Sequence, residues 1–383
     1  MRTIIVGAGI GGLSLAMALE KLGLPYMLLS KTPQADPGPG ATIIWPNALT
    51  VLDHFGIADE LRQAGRSIHL CRISTASANM LSAKTWPNGE SPLIVAKTAL
   101  RSVLWKFLQA NSSHLGHSCV GFSERADGQV LVQTDDARTL EAELVIGADG
   151  AHSIIRRQLW GEIPVRHRVN VWQGLSEFAP DEPHALQEVI GDRGDRIRFC
   201  AVTNSQFYWQ AETLNRSPNQ QVNFQTELRN HFGRWGGLAS GLIQATPGAS
   251  LSYRVVPHIS DRRYWGTGRC TLLGNAAEPC DSNLLLGDSI AIEEAGLLAR
   301  LLAGAKKPTQ ALRTFEALRS CRSKWIRSPF QKRSAAQSLQ AQYRWKAKRA
   351  ANPSTMQVWT RLSSYDFDAH VHQGLSLLPR FGT

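Results

Sequence analysis

A glycine-rich loop near the first residue constrains the fold of this 383-residue chain more than any other feature. The loop, residues 7–12, reads Gly-Ala-Gly-Ile-Gly-Gly and follows a β-branched run at 3–6. It opens a segment, 13–22, whose apolar residues recur at helical spacing, and a second apolar run follows at 26–29. Strand, helix and strand in this order form a β-α-β unit, which implies a parallel sheet.

Each glycine of the loop has its own role in binding a dinucleotide. Gly7 permits a tight turn, Gly9 lets the backbone approach a pyrophosphate, and Gly12 lets the helix pack closely on the strand. The second strand ends at Ser30, where such sites usually have an acidic residue for the ribose hydroxyls. A serine offers one neutral oxygen in place of two charged ones, so the predicted contact is weaker. The alternative is that Ser30 simply ends the strand.

The pattern beyond this unit predicts two domains and a C-terminal segment. A run at 140–146 is typical of a strand that ends in a second glycine turn, and alternating runs between about 165 and 265 predict a mostly antiparallel sheet. The chain then returns to a buried strand at 270–273 and a helix at 289–302. The predicted division is a discontinuous nucleotide-binding domain (1–70, 97–163 and 265–303), an inserted substrate domain (71–96 and 164–264) and a basic helical segment (304–383).

Basic residues are concentrated at the C-terminal end. Residues 301–383 hold fifteen Lys or Arg against three Asp or Glu, which accounts for the net charge of +11. With Trp325, Trp345 and Trp359 interspersed, the segment has the character of a helix that meets an anionic membrane surface or an acidic carrier domain. The alternative is a solvated helical face with its tryptophans packed inward. No nucleic-acid-binding module accompanies the charge, so nucleic acid is not expected as a partner.

The cysteine, histidine and hydropathy patterns exclude other classes of protein. The six cysteines form no C-x-x-C pair, and the histidines, among them His152, His167 and His258, lack the spacing of a metal site, so no metal is expected. No apolar run approaches the ~18 residues that cross a bilayer. No charged-then-apolar leader precedes the first strand. Together these patterns predict a cytoplasmic globular protein.

Four further blocks follow the loop in a fixed order, at 40–48, 97–100, 144–156 and 265–279. The third contains Leu-Val-Ile-Gly-Ala-Asp-Gly, and the fourth contains Leu-Gly-Asn-Ala-Ala-Glu-Pro. In sequence and in order they resemble the FAD-dependent aromatic hydroxylases of the p-hydroxybenzoate hydroxylase type. The resemblance implies an α/β fold: a Rossmann-type FAD-binding domain, an inserted β-rich substrate domain and C-terminal helices.

The same resemblance implies a set of cofactor contacts. In the family, the D-G-x-x-S-x-x-R block that runs here from Asp149 to Arg156 lies where FAD and a nicotinamide donor approach each other, and the backbone at Val120 touches the adenine. A structural alternative is that Asp149 caps the following turn and pairs with Arg156. The implied FAD contacts are Gly7, Gly9, Gly12, Ser30, Lys97, Val120, Asp149, Gly274, Asn275 and Gly287.

The flavin end departs from the family pattern. The loop that reads Gly-Gln-Gly in the family reads Leu285-Leu286-Gly287 here, and Asp288 follows at the helix start. We expect the leucines to crowd a flat ring. We also expect Asp288 to cap the helix amides that would otherwise face the anionic flavin. Five single positions also differ from the family residue given in parentheses: Thr42 (glycine), Lys97 (arginine), Asn275 (aspartate), Glu278 (histidine) and Ser282 (proline).

Three functions are compatible with these residues. The resemblance implies a monooxygenase in which NAD(P)H reduces FAD and a flavin C4a-hydroperoxide hydroxylates or epoxidises a small aromatic or natural-product-like molecule. The alternative is an enzyme that has lost redox chemistry and catalyses a cyclisation, isomerisation or dehydration, with Glu278, Asp281 and Asp288 as candidate acid/base groups. A third hypothesis is a binding or scaffold protein with a relic dinucleotide site.

Aromatic residues of the inserted sheet are candidates for substrate contact. Alternation along the strand places Phe207 and Trp209 on one face and Tyr208 on the other. With Trp172, the first two predict a surface on which a flat substrate stacks. The alternative is that the three are core residues, which is the commoner position for aromatic side chains.

Overall fold

The structure is a computed structural model that describes the chain with gaps. The described residues are 2–32, 40–86, 91–109, 112–163, 165–177, 182–191, 195–214, 224–233, 235, 238–259, 264–279, 285–335 and 361–378. The helices are α1 (Ile10–Lys21), α2 (Pro46–His54), α3 (Ala58–Ala64), α4 (Lys97–Trp105), α5 (Ile154–Trp160), α6 (Phe224–Phe232), α7 (Leu238–Gln244), α8 (Gly287–Gly304), α9 (Pro308–Ala335) and α10 (Phe367–Leu377). The strands are β1 (Thr3–Val6), β2 (Tyr26–Ser30), β3 (Ala41–Ile44), β4 (Arg66–Ser67), β5 (Leu70–Thr75), β6 (Met80–Thr85), β7 (Leu93–Ala96), β8 (Ser113–Leu115), β9 (Cys119–Glu124), β10 (Val130–Thr134), β11 (Thr139–Ala142), β12 (Leu144–Gly147), β13 (Val165–Glu177), β14 (Ala185–Ile190), β15 (Arg196–Ala201), β16 (Gln206–Leu214), β17 (Leu251–Ile259) and β18 (Cys270–Leu272).

The first sheet carries the glycine loop. Its five strands lie in the order β18-β12-β1-β2-β8, and every pairing is parallel. Apolar β-branched residues of β1, such as Ile5, are fully buried, as expected of a strand covered on both faces. Helices α1 and α8 pack against each other over this sheet. The predicted parallel sheet of a Rossmann-type domain is therefore confirmed.

The second large sheet has seven strands in the order β17-β13-β16-β15-β14-β5-β6. Its pairings are antiparallel except for the parallel pair of β14 with β5. One face packs on α6 and α7, and the other faces β3 and the start of α8. The mostly antiparallel sheet is confirmed, whereas the domain boundaries given above stay a prediction.

The strand predicted at 140–146 is wrong as a single element. Residues 139–142 form β11, which pairs antiparallel with β10, and residues 144–147 form β12, which pairs parallel with β1. Glu143 lies between them and donates its backbone N–H to the carbonyl of Arg2. Apolar residues continue on both sides of Glu143, so the sequence pattern does not show that the chain changes from one sheet to another there.

The predicted C-terminal helices are present as α9 and α10, which pack on α8. Residues 336–360, with Trp345 and Trp359, lie outside the described residues. Trp325 on α9 is partly exposed and lies 4.3 Å, by ring centroid, from the Arg361 guanidinium. Among the helices described, none combines the length and the apolar character needed to cross a membrane.

Candidate cofactor and substrate site

The glycine loop has the geometry that dinucleotide binding requires. Gly7 has φ +111°, and a Cβ there would lie 2.4 Å from the carbonyl oxygen of Ala148. A Cβ on Gly12 would lie 1.8 Å from the carbonyl oxygen of Gly7. A Cβ on Gly9 would meet nothing within 4 Å. The packing of the protein therefore requires Gly7 and Gly12, while Gly9 borders open space of the kind a pyrophosphate needs.

The N-terminus of α1 is suited to an anion. Gly9 is its N-cap, no side chain caps it, and its first turn has no acidic residue. Amides at such a helix end attract phosphate. On the neighbouring strand the Ser30 hydroxyl lies 3.1 Å from the Thr32 hydroxyl. Ser30 thus has a local partner, and its contact with a ribose stays a prediction.

The backbone at Val120 is left unpaired by a β-bulge. Gln133 of β10 pairs with Gly121 and Thr134 pairs with Cys119, so Val120 has no opposite residue in β10. The Val120 side chain is 54% exposed. Bulges leave a residue unpaired and recur beside active sites. This geometry supports Val120 as the predicted adenine contact, which stays a prediction.

Asp149 and Arg156 hold the loops around the glycine turn. One Asp149 oxygen, Oδ2, accepts hydrogen bonds from the Ile154 and Ile155 amides at 2.7 and 3.3 Å, as the capping alternative predicts. The other, Oδ1, is buried without a hydrogen-bond partner. A buried acceptor without a donor is costly, so Oδ1 is well suited to a hydroxyl or N–H of a ligand.

In the structural alternative Arg156 pairs with Asp149, but the hydrogen bonds of its guanidinium go elsewhere and Asp149 acts on it only electrostatically. The Arg156 guanidinium donates to the carbonyl of Ala276 at 2.6 Å, to that of Asn275 at 3.3 Å, and also to that of Ala151. Arg156 therefore joins the β12–α5 turn to the 274–276 turn, two of the segments predicted to contact FAD. The sequence does not reveal this because backbone carbonyls carry no residue-specific signal.

Lys97 lies beside Gly40 and interacts electrostatically with Asp288, and its contact with the flavin stays a prediction. Its backbone N–H donates to the carbonyl of Gly40, and its Cδ lies 3.8 Å from the position of a Cβ on Gly40. Burial lowers the pKa of the Lys97 ammonium, Arg254 lowers it further, and Asp288 opposes both. A lysine, an arginine and an aspartate thus interact where the seven-stranded sheet meets the start of α8.

The prediction that Asp288 caps α8 is wrong. The N-cap of α8 is Leu286, and no side chain caps this end. The Asp288 carboxylate instead interacts electrostatically with Lys97 and Tyr208. The α8 amides are therefore not taken by Asp288, because the buried lysine offers this carboxylate a stronger attraction.

The two leucines before α8 behave differently from each other. Leu285 has φ +55°, a left-handed conformation that costs a leucine about 1–2 kcal/mol. The chain has thus kept a glycine-like backbone at the position where the family has glycine. Leu286 is buried in a core cluster with Trp45 and Tyr208. Crowding of the flavin by Leu286 is not supported, because its side chain packs into the core.

The candidate acid/base carboxylates are dispersed. Glu278 accepts a hydrogen bond from the Ser323 hydroxyl of α9, whereas Asp288 interacts with Lys97. Asp281 and Ser282 lie outside the described residues. Within the described part of the chain, no acid/base pair of Glu278 with Asp288 is assembled.

A buried acidic pair lies beneath the predicted cofactor turn and was not predicted from the sequence. The Gly274 N–H donates to Glu294 Oε2 at 2.7 Å, and Gly274 has φ +60°. Arg319 of α9 pairs with both Glu293 and Glu294, and Arg322 pairs with Glu293. A usable signal was present, since two adjacent glutamates interrupt the apolar helix at 289–302.

The two glutamates of this pair have different pKa values. Burial raises the pKa of Glu294 to about 7, against the opposing effects of Arg319 and the Gly274 amide. Burial alone would raise the pKa of Glu293 as well, but Arg319 and Arg322 outweigh it and lower that pKa to about 2. Near neutral pH, Glu293 therefore carries the charge and Glu294 is partly protonated.

Glu294→Gln is expected to reduce the pH dependence of stability. The folded protein holds the Glu294 proton with a pKa of about 7 against 4.5 ordinarily, so this stabilisation is complete below pH 4.5 and is lost as the pH rises through 7. Glutamine does not titrate and keeps an oxygen for the Gly274 amide. Between about pH 5 and 8, the free energy of unfolding in urea should fall by roughly 2 kcal/mol less in the variant. Glu162→Gln, at an exposed carboxylate, should keep the wild-type dependence, and the same dependence in Glu294→Gln would contradict the assignment.

The aromatic residues predicted to stack on a substrate are core residues. Trp172, Phe207 and Trp209 are almost fully buried in a cluster with α6 and α7. Trp209 Nε1 donates to the Thr246 hydroxyl at 2.7 Å. The stacking prediction is therefore not supported. Alternation separates two faces of a strand but does not tell which face the helices cover.

Tyr208 lies on the opposite face, toward Lys97 and Asp288. It is buried with Leu286 and Trp45, and its hydroxyl lies 3.2 Å from the amide of Gln173. The polar side chains of this face, rather than the tryptophans of the other, border the predicted flavin end.

Comparison with known proteins identifies the class. The model of the family described as "FAD binding domain" matches residues 1–324. Aurachin C monooxygenase/isomerase of Stigmatella aurantiaca is 27% identical over 83% of this chain and 85% of its own. The 2-heptyl-3-hydroxy-4(1H)-quinolone synthase of Pseudomonas aeruginosa is 28% identical over 85% and 87%. The solved structure of CtdE in complex with FAD and a substrate has a TM-score of 0.85 at 18% identity and covers 99% of both chains.

These matches define a flavoprotein with the Rossmann-type fold. The chain belongs to the FAD-binding family, since that model covers most of its length. The predicted family and FAD as its cofactor are confirmed. The open space at Gly9 and the partnerless Asp149 oxygen fit such a cofactor.

Proposed function

We propose that this protein is an FAD-dependent monooxygenase that hydroxylates or epoxidises a small aromatic or natural-product-like molecule. In a hydroxylation, substrate-H, NAD(P)H, H⁺ and O₂ give substrate-OH, NAD(P)⁺ and water. The observation that carries the proposal is the open backbone at Gly9 beside the turn of Asp149, whose buried Oδ1 lacks a partner. FAD, when bound, supplies the redox chemistry, and the protein supplies binding and orientation.

The residues of the chain divide these tasks. Gly9 and the N-terminus of α1 receive the pyrophosphate, and Asp149 Oδ1 accepts a hydrogen bond from the cofactor. Lys97 places a positive charge at the flavin end, which favours an anionic reduced cofactor. A lysine keeps the charge of the family arginine but loses its two-pronged hydrogen bonding. Buried Leu286 contributes an apolar surface that limits water.

The name of one relative suggests which class of substrate to test first. This relative is a synthase of a 3-hydroxy-4(1H)-quinolone, and its length matches this chain closely. We propose a bicyclic nitrogen heterocycle of this kind as the first substrate to test. Within this proposal, the inserted segments 71–96 and 164–264 form the substrate domain, with the site where their sheet meets the FAD-binding domain.

The decisive experiment measures whether one oxygen atom of O₂ enters the product. The protein, reconstituted with FAD, is incubated with NADH or NADPH and a 2-alkyl-4(1H)-quinolone under labelled O₂. We expect NAD(P)H oxidation that depends on the quinolone, and a product that contains one labelled oxygen atom. The same mixture without quinolone is the control, and it should consume NAD(P)H more slowly.

Two results would contradict the proposal. One is a failure of the purified protein to bind FAD, seen as no visible flavin spectrum after addition of FAD and removal of the excess. The other is conversion of a substrate without O₂ consumption, which would favour the non-redox alternative.

A further inference from the structure

A ladder of buried polar side chains crosses the seven-stranded sheet on the face toward Lys97. In β16, the Tyr208 hydroxyl lies 3.1 Å from the Gln210 amide, and Gln210 lies 2.7 Å from a Glu212 oxygen. On β13, the Gln173 amide lies 3.2 Å from the same hydroxyl. These side chains are all at least nine-tenths buried, so most of their hydrogen bonds must come from protein or ligand groups.

The pairing of Glu212 with Arg198 fixes which groups donate and which accept along the ladder. Arg198 of β15 donates to Glu212 Oε1 at 3.0 Å. A carboxylate paired with a guanidinium only accepts hydrogen bonds, so Gln210 must turn its NH₂ group toward Glu212. The carbonyl oxygen of Gln210 then faces Tyr208 and accepts the single hydroxyl proton.

The donor and the acceptor of the hydrogen bond between Tyr208 and Gln173 are thereby fixed as well. Because Tyr208 has given its only proton to Gln210, its oxygen can only accept from Gln173. The two ends of a glutamine amide are distinguished by their partners. Gln173 therefore donates from its NH₂ group to Tyr208, and its carbonyl oxygen lies on the outer end, the side of the amide away from Tyr208. This orientation is the reverse of the one in which Oε1 faces Tyr208.

The outer end of Gln173 lies at the flavin end of the site. It is 3.5 Å from the position of a Cβ on Gly40, and the Lys97 Cδ is 3.8 Å from that same position. Among the described residues, this outer end has no hydrogen-bond partner. An amide oxygen accepts two hydrogen bonds, so even a contact from the Lys97 ammonium would leave one lone pair.

We propose that Gln173 determines substrate specificity by presenting its amide oxygen to an N–H or O–H donor on the substrate ring. Tyr208 and Gln210 are positioning residues that hold the amide in this orientation. The inference rests on the proposed function and deepens it, because it selects aromatic heterocycles that carry a ring N–H or a phenolic O–H. N- or O-methylated analogues cannot donate to this oxygen and are rejected.

The test compares a matched pair of probes on the full-length protein loaded with FAD. The probes are 2-heptyl-4(1H)-quinolone and its N-methyl derivative, and binding is measured by the change in the visible flavin spectrum. The wild-type protein is expected to bind the N–H probe on the order of 10–100-fold more tightly. Gln173→Met, which keeps the length of the side chain without an amide, is expected to bring this ratio close to one.

Further variants separate specificity from folding. Tyr208→Phe keeps Gln173 but frees its amide to rotate, so the ratio should fall by part of the full amount. Gln187→Met, in β14 of the same sheet, is the matched control and should keep the wild-type ratio. Circular dichroism and FAD content show which variants fold.

Each outcome decides the proposal. Retention of the ratio in Gln173→Met, equal binding of the two probes by wild type, or binding of neither probe to the FAD-loaded protein would overturn it. FAD binding with oxygenation of another substrate would leave the proposed function standing. Loss of FAD binding by the wild-type protein would instead mark failure of the proposed function itself.

Discussion

Gly9→Val is expected to lower FAD affinity at least about 100-fold, or roughly 3 kcal/mol, while the protein stays folded. The backbone at Gly9, with φ −69° and ψ 178°, is one that valine adopts, and a Cβ there meets no protein atom within 4 Å. The added methyl groups would instead fill the space assigned to the pyrophosphate. Fluorescence titration with FAD measures affinity, and the free energy of unfolding should change by less than about 1 kcal/mol.

Two other glycines provide the controls for this result. Gly12→Ala would push a Cβ to 1.8 Å from a backbone oxygen, so it should destabilise the fold itself by about 3 kcal/mol or more. Gly241→Ala, in α7 with nothing within 4 Å, should change neither property appreciably. Unimpaired FAD binding by Gly9→Val would show that the cofactor does not approach this loop.

Arg156→Met is expected to destabilise the protein by about 3 kcal/mol and to weaken FAD binding at least tenfold. Arg156 is buried and donates to three backbone carbonyls, and methionine would leave those carbonyls without their donor. The turn at 274–276 would lose its link to the turn at Asp149. Urea unfolding gives the stability, and FAD titration of the folded fraction gives the affinity.

The next residue on α5 is the matched control. Arg157 is 58% exposed and pairs only loosely with Glu162, so Arg157→Met should cost less than about 0.5 kcal/mol. Arg156→Lys should fall between the two, since it keeps the charge but not the fork. Equal effects of the Arg156 and Arg157 variants would refute the bridging role.

The local part of the site could be predicted from the sequence. The roles of Gly7 and Gly12 follow from a turn and a close helix–strand contact, both set within a few residues. The parallel sheet followed from one β-α-β unit. The prediction of Lys97 as a cofactor contact came from a resemblance of whole blocks, which fixes the order of elements along the chain, and it stays a prediction.

Interactions between distant segments could not be predicted in this way. Asp288 was expected to cap α8, yet it interacts with Lys97, a residue from another helix. The structural alternative for Arg156 was a pairing with nearby Asp149, yet Arg156 joins carbonyls more than a hundred residues away. A charged side chain takes the partner that offers the best desolvated contact, and only the tertiary fold determines which partners are near.

The sequence by itself determined the class of the fold, the dinucleotide loop and the two faces of each strand, because these depend on backbone geometry and on periodicity over short distances. Only the tertiary structure decided which face of the large sheet lies toward Lys97 and the start of α8. Trp209 lies under α6 and α7, while its neighbour Tyr208 packs with Leu286 at the start of α8. The physical reason is that a strand presents both faces equally, and the helices packed on one of them leave the other to form the site.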